Sequence, residues 1–315
     1  MPSVSGIRPP LRPEPAARGL ASTDPRDVAE LVTAAWGGVA ELTGRLDLDA
    51  ASRLPGWTTR DVLVHLGDWS EHHRFERLVD DARHARMQEA EDVDARNALV
   101  VAAHADAGAD DITAALGRAR DRALTFLASP DIERIGLEPT DSPIGPLPLT
   151  CVIAASAYEL AVHALDVAPA DQVPDALLHA GIGALVDTTG ALAARSGVQA
   201  TFAVVTPLGG WVCGSEPDSW TTMRLDSELA IGELGWPTLQ GDAADVIDAS
   251  AGRRAAIPMV LGRRLRLYDI AGLMTLMPAL ESVPGLPGGM ALRAAARTLG
   301  RTGRLISRLG ATVRG

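Results

Sequence analysis

The stretch LTCVIAASAYELAVHALDVAP, residues 149–169, decides the fold. It is apolar on nearly every face of a helix, and a helix of that kind is normally buried on all sides. The sequence therefore predicts a central helix that ends before Pro169. Four polar residues interrupt its middle part: Ser156, Tyr158, Glu159 and His163.

Two of these polar residues point to a site. Glu159 and His163 are four positions apart, so both lie on one helix face about one turn from each other. We expect Glu159 to be buried, and a buried carboxylate is costly unless it is paired or bound to a metal. Imidazole and carboxylate at this spacing can supply two ligands to Zn²⁺ or a similar ion. An ordinary helical pair gives the same spacing, so this alternative stays open.

A third candidate ligand lies in PGWTTRDVLVHLGDW, residues 55–69. Thr58 and Asp61 form a capping box, which predicts a helix from about residue 58 into the low 80s. His65 falls on its second turn among apolar residues. A His₂Glu set leaves a coordination position for water or a substrate atom, as catalytic sites do. The alternative is a hydrogen-bonded core histidine.

A family resemblance rests on these two stretches. GWTTRDVLVHLGDW, followed by YELAVHALD with Glu159 placed 94 residues after His65, resembles the N-terminal domain of the mycothiol-dependent maleylpyruvate isomerase family, a branch of the DinB-like four-helix bundles. The similarity spans roughly residues 24–170. It implies that His65, Glu159 and His163 bind zinc, that mycothiol is the thiol cosubstrate, and that a smaller α+β domain follows.

The whole chain is predicted to be α+β, with four segments: a disordered, proline-rich leader (1–22), a DinB-like metal-binding four-helix bundle (23–170), a connecting helix with a small α+β domain (171–270), and a basic amphipathic tail (271–315). In the bundle, helices are expected at about 24–46, 58 to the low 80s, 109–128 and 149–167, with a polar stretch at 88–98 and a loop or short hairpin at 130–148. A fifth helix is expected at about 174–195. Strands are expected within 201–214, 219–226 and 263–270, and a helix within 241–254.

Composition excludes some functions. The net charge of −11 and the pI near 5.1 argue against a general nucleic-acid binder. No signal peptide and no stretch approaching ~18 apolar residues is evident, so we expect a cytoplasmic protein. Cys151 and Cys213 are expected to be reduced core thiols.

The C-terminal tail is basic. From Met290 onward there are six arginines and no acids, and their spacing predicts an amphipathic helix. This helix could contact an anionic membrane surface or dock on the protein's own acidic body.

Other residues are candidates for supporting roles. Asp166 could hydrogen-bond the free ring nitrogen of His163. Trp69 could wall the pocket, although core packing explains it equally well. The resemblance implies an arginine of the C-terminal domain in substrate binding or catalysis. Arg253 and Arg254 are the nearest candidates, in competition with Arg263, Arg264 and Arg266 and with the alternative that each is merely solvated.

These features predict a divalent-metal enzyme, with zinc the expected metal. A metal-bound thiol loses its proton at neutral pH, and the thiolate can add to a small electrophile. Loss of the thiol afterwards gives isomerisation, and its retention gives transfer. The alternatives are a metal-dependent hydrolase and a metal-stabilised protein that binds a ligand or partner without catalysis. The electrophile and the oligomeric state are left open.

Overall fold

The computed structural model describes residues 9–70, 73–84, 93–225 and 235–281. Its fold is α+β, as predicted. The helices are α1 (Pro25–Thr43), α2 (Thr59–Leu66), α3 (Arg74–His84), α4 (Val93–Ala103), α5 (Ala109–Leu127), α6 (Asp131–Ile135), α7 (Leu149–Val167), α8 (Asp175–Arg195), α9 (Ala243–Ser250), α10 (Ala256–Leu261), α11 (Ile270–Leu273) and α12 (Met277–Glu281). The strands are β1 (Pro139–Thr140), β2 (Leu147–Pro148), β3 (Ala200–Thr206), β4 (Gly209–Glu216), β5 (Ser219–Leu225), β6 (Thr238–Gly241) and β7 (Leu265–Tyr268). The predicted basic stretch from residue 290 onward lies outside the described residues.

The N-terminal helices pack around one apolar core. Helix α1 contacts α5 and α7, and α2 contacts the same two helices from another side. Helix α7 has the predicted bounds and is buried along most of its length, with Leu149, Ala157 and Ala161 fully inaccessible. The β1–β2 pair forms the short hairpin expected before α7.

The C-terminal part is built on a five-stranded sheet in the order β5-β4-β3-β6-β7. Strands β3 and β6 are parallel and every other neighbouring pair is antiparallel. Helix α8 lies between the two parts, since it packs on α7 and α1 and also on β4 and β5. One hydrophobic core therefore continues from the helices to the sheet, and the domain division at residue 170 stays a prediction.

The predicted second helix is interrupted. Helix α2 ends at Leu66, where Gly67 turns to an extended conformation (φ −72°, ψ 158°), and α3 begins only at Arg74. A Cβ at Gly67 would lie 2.9 Å from the Ala115 side chain, and the Asp68 amide donates to the Ala115 carbonyl over 3.1 Å. The expectation of one continuous helix was wrong because close packing on α5 redirects the chain here.

Residues 9–22 of the leader are ordered, although the sequence predicted disorder for residues 1–22. The Leu11 amide donates to Thr201 Oγ1 over 2.9 Å, and the Trp220 amide donates to the Ala17 carbonyl over 3.1 Å. Leu20 is buried in the main core. These contacts with the sheet order a segment whose composition alone predicts disorder.

Two helices, α7 and α8, are long and apolar enough to cross a membrane by length and composition alone. In the most apolar stretch of each helix, 61% of α7 and 72% of α8 is buried inside the protein, as is usual for core helices. The expectation that no stretch approaches a membrane span was therefore wrong for the length and composition of α7 and α8. Their burial in the protein core accounts for their apolar side chains.

Candidate metal centre

The cap of α2 fixes the position of His65. The Thr58 amide donates to Asp61 Oδ2 over 2.7 Å, and the Asp61 amide donates to Thr58 Oγ1 over 3.3 Å, which completes the predicted capping box. Because this box sets where the helix begins, it also sets which residue of the second turn faces the neighbouring helices. His65 is that residue, and 7% of its surface is exposed.

The three predicted ligands meet. One ligand atom from each of His65, Glu159 and His163 can be chosen so that all three lie within 4.8 Å of one another. The His65 Nε2 atom lies 3.2 Å from Glu159 Oε1, and the centroids of the two imidazole rings are 5.1 Å apart. Side chains separated by 94 residues in the sequence thus share one site on the facing sides of α2 and α7.

This donor set fits a divalent cation. Two imidazoles and a carboxylate are a common zinc set, with metal–ligand lengths of about 2.0–2.2 Å and about 3.4 Å between ligand atoms in a tetrahedron. The 3.2 Å contact already matches that separation, and the widest pair, at no more than 4.8 Å, exceeds it by at most about 1.4 Å. Three protein ligands leave a position for an exogenous atom.

A buried carboxylate orients His163, as predicted for Asp166. The His163 Nδ1 atom donates to Asp166 Oδ2 over 3.1 Å, which leaves Nε2 as the nitrogen available to a metal. The Arg253 guanidinium in turn donates two hydrogen bonds of 2.8 Å to the Asp166 carboxylate. Burial raises the pKa of Asp166, but the bonds from His163 and Arg253 outweigh it, so the pKa lies below its ordinary value.

Glu159 is held as a carboxylate. Burial raises its pKa, but Arg74, whose Nη2 lies 3.8 Å from Glu159 Oε2, and the two imidazoles lower it more, so its pKa lies well below its usual range. Its side chain is 38% exposed, which corrects the expectation that Glu159 is buried. The exposed part opens into a cavity inside the protein.

The cavity has a volume of about 610 Å³ and runs from the metal centre toward the sheet. Glu159 and Arg74 line it near the centre, and apolar side chains of α7, α8, β3, β6 and α10 form most of the remaining wall. Its volume lies within the usual range of small-molecule sites, about 300–1,000 Å³. Of the three candidate ligands Glu159 lines the cavity, so a molecule bound there lies next to the carboxylate of the candidate metal centre.

The remaining candidates lie elsewhere. Trp69 does not line the cavity; it stacks on His104 with ring centroids 3.8 Å apart and donates to the Val64 carbonyl. Arg254 pairs with Asp248 at 3.3 Å and Arg264 pairs with Asp245. Neither of these arginines, nor Arg263 or Arg266, lines the cavity as far as the described residues show. Core packing explains the place of Trp69, and ion pairs on α9 explain Arg254 and Arg264.

Sequence reasoning missed three residues around the centre. Trp57 packs its ring edge-on against His65, with centroids 5.8 Å apart. Arg74 faces Glu159, and Arg53 binds the Asp166 carbonyl through its backbone amide over 2.8 Å. Trp57 stands next to the capping box and its proximity to His65 could have been noticed. Nothing in the local sequence singles out the two arginines.

The cysteines are not ligands of the centre. Cys151 and Cys213 are both free and buried, as predicted. Burial raises the pKa of both thiols far above the ordinary value, with the Asp187 charge adding to the effect. Neither thiol belongs to the candidate metal cluster.

Fold and site together define a class: an α-helical bundle with a candidate His₂Glu metal centre that opens onto a cavity shared with an α+β part. Residues 28–168 match the family model of the mycothiol maleylpyruvate isomerase N-terminal domain. Residues 28–168 of this chain are therefore similar to the N-terminal domain of that family.

Two solved structures are distantly similar to this chain. A crystal structure of the mycothiol-dependent maleylpyruvate isomerase is 14% identical, with a TM-score of 0.46 over 75% of this chain and 92% of that one. A histidine-to-alanine mutant of that enzyme is also 14% identical, with a TM-score of 0.45 over 76% and 93%. No curated protein matches the chain.

Proposed function

We propose that the protein is a divalent-metal-dependent enzyme that activates a low-molecular-weight thiol, mycothiol, toward an electrophilic small molecule, and that it acts in the cytoplasm. The observation that carries the proposal is the convergence of His65, Glu159 and His163, together with a ligand-sized cavity that Glu159 lines. The family match supports mycothiol as the thiol, since mycothiol stands in the family's name.

Each residue has a role in this proposal. His65, Glu159 and His163 would hold the metal, and zinc suits this donor set best. When bound, the metal lowers the pKa of a coordinated thiol so that it is a thiolate at neutral pH. Asp166 and Arg253 keep the Nε2 atom of His163 directed at the site. Arg74 lines the cavity beside Glu159, where its charge can stabilise negative charge on a substrate oxygen.

Isomerisation follows from reversible addition. The thiolate sulfur forms a bond to the β-carbon of a conjugated carbonyl compound, and the π electrons move to the carbonyl oxygen near Arg74. The former double bond is now single and can rotate. Return of the electron pair breaks the carbon–sulfur bond and releases the thiolate with the trans product, so no oxidant or reductant is needed. Protonation of the α-carbon before release would give thiol transfer instead.

The test is turnover of cis-configured conjugated carbonyl compounds, uncharged enones among them, with and without mycothiol and zinc. We expect turnover that needs both, is lost in His65→Ala, and is unchanged in His84→Ala, a matched control whose histidine lies half exposed on α3 away from the centre. Turnover without any thiol would favour the hydrolase instead. Full activity in His65→Ala would contradict the proposal.

A further inference from the structure

We infer that the cavity beside the candidate metal centre takes an uncharged, largely apolar ketone or enone as its substrate rather than a dicarboxylate. The inference rests on the proposed function for the reaction itself. It rests on the cavity alone for the class of ligand.

The wall of the cavity is apolar over most of its extent. Two helices contribute aliphatic side chains, Val152 on α7 and Leu185 on α8. Strands β6 and β7 and helix α10 add Leu239, Leu267 and Val260. Such a wall favours an apolar group by removing it from water, at about 25 cal/mol per Å² of apolar surface.

The charges of the lining are few and already matched. Among the described residues, the charged side chains that line the cavity are Asp68, Arg74 and Glu159. Asp68 faces Arg122, with 3.0 Å between Asp68 Oδ2 and Arg122 Nε, and Arg74 faces Glu159. A dianionic ligand would need two compensating cations, and a carboxylate buried without one is costly. With zinc and a thiolate bound, the charges of the metal, Glu159 and the thiolate would sum to zero, and the described lining then offers one further cation, the Arg74 guanidinium.

The polar groups that remain are neutral. Tyr158 Oη and Ser250 Oγ lie 2.9 Å apart in the lining, and burial raises the pKa of Tyr158 to about 12. Ser142, Thr188 and Thr189 add hydroxyl groups. Neutral hydroxyls can orient one carbonyl oxygen, but they do not compensate a carboxylate charge. The lining thus matches a carbonyl group carried on an aliphatic or aromatic body.

Binding can be tested without turnover. The uncharged fluorescent probe N-phenyl-1-naphthylamine is titrated into the metal-free full-length protein and then displaced by two unreactive methyl ketones, 2-octanone and levulinate. We expect 2-octanone to displace the probe at a concentration at least about tenfold lower than levulinate, a difference of about 1.4 kcal/mol. Equal displacement, or a preference for levulinate, would overturn the inference.

Neighbouring positions on α10 give a matched pair of variants. Val260 lines the cavity, whereas Leu261 is 79% exposed and does not. Val260→Arg should weaken 2-octanone binding at least about tenfold, and Leu261→Arg should leave it within about twofold. Leu267→Arg, on the edge strand β7, serves if Val260→Arg fails to fold. Unchanged 2-octanone binding in a folded cavity variant would overturn the inference.

Turnover separates this inference from the proposed function. With zinc and mycothiol present, kcat/KM for isomerisation or thiol addition is compared for cis-3-octen-2-one and cis-4-oxo-2-pentenoate, each divided by its uncatalysed rate with mycothiol. We expect at least about a tenfold preference for 3-octen-2-one. Absence of turnover with both, together with selective 2-octanone binding, would refute thiol activation while supporting the ligand class. A preference for 4-oxo-2-pentenoate would refute the ligand class alone.

Discussion

Glu159 and Asp187 are carboxylates on adjacent apolar helices, α7 and α8, and their surroundings differ. Asp187 is 2% exposed, and its Oδ1 accepts hydrogen bonds from the Leu20 amide, Trp220 Nε1 and Thr222 Oγ1 at 2.7–3.0 Å. Glu159 faces two imidazoles, a guanidinium and a cavity. Because its acceptor oxygen is satisfied by neutral donors, Asp187 is a structural link between the leader, α8 and β5. Glu159 instead belongs to the candidate metal centre and lines the cavity.

The two carboxylates also differ in pKa. Burial raises the pKa of Asp187 above its ordinary value, and the hydrogen bonds it accepts only partly oppose this. Glu159 is shifted the other way because cationic and imidazole groups outweigh burial. The difference teaches that the partners of a carboxylate in an apolar helix, rather than the helix itself, decide whether it supports the fold or a function.

The largest effect is expected at Asp187. Asp187→Ala should lower the free energy of unfolding by about 4 kcal/mol, since it leaves three donors without an acceptor in the core. Chemical denaturation of the metal-free protein measures this. Zinc affinity of the folded variant should remain that of the wild type. A loss below about 1 kcal/mol would show that the carboxylate is not the structural link described here.

The opposite pattern is expected at Glu159. Zinc should raise the melting temperature of the wild type, because a ligand that binds only the folded state stabilises it by RT ln(1 + [L]/Kd). In Glu159→Gln the affinity should fall by at least about 100-fold, so the shift at the same zinc concentration should largely disappear. Asp187→Asn serves as the control and should keep the shift. A full shift in Glu159→Gln would remove the distinction between the two carboxylates.

A smaller effect is expected one step away from the centre. Asp166→Asn breaks the link from Arg253 to His163 and should weaken zinc binding about 10- to 100-fold, as is usual for residues that orient a ligand. Asp248→Asn is the matched control, because Asp248 is also bound by arginines, Arg53 and Arg254, but contacts no ligand of the centre. Calorimetric zinc titration measures both. Equal losses in the two variants would indicate a general disturbance of α9 and its neighbours.

The smallest effect concerns pH. Asp187→Asn keeps a carbonyl oxygen in place, so its stability near neutral pH should lie within about 1 kcal/mol of the wild type. The raised pKa of Asp187 means that the folded protein holds this proton more tightly than the unfolded chain does. The free energy of unfolding of the wild type should therefore fall, relative to that of the variant, as the pH rises from about 4 through the folded-state pKa. Denaturation across this range checks the sign. A rise with pH would contradict the described environment of Asp187.

Much of the site could be predicted from sequence because it depends on local signals. The capping box at Thr58 and the four-residue spacing of Glu159 and His163 fix helical faces, and buried polar groups on two such faces tend to meet. The position of α7 followed from its apolar run in the same way.

The rest depended on contacts between distant segments. Arg253 meets Asp166 across 87 residues, and Arg74 follows a break at Gly67 that only packing on Ala115 explains. The polar stretch expected at 88–98 is helical from residue 93 in α4, and the short strand β6 was not anticipated because its pairing with β3 and β7 defines it. Periodicity in one segment carries no information about such partners.

The central claim is that His65, Glu159 and His163 together bind one metal ion and leave a position open. X-ray absorption spectroscopy of the zinc-loaded, thiol-free protein tests it most directly. We expect only nitrogen and oxygen neighbours at about 2.0–2.2 Å, including imidazoles that diminish in His65→Ala, and a new sulfur neighbour at about 2.3 Å when mycothiol is added. Sulfur coordination before any thiol is added, or a spectrum unchanged by His65→Ala, would contradict the account.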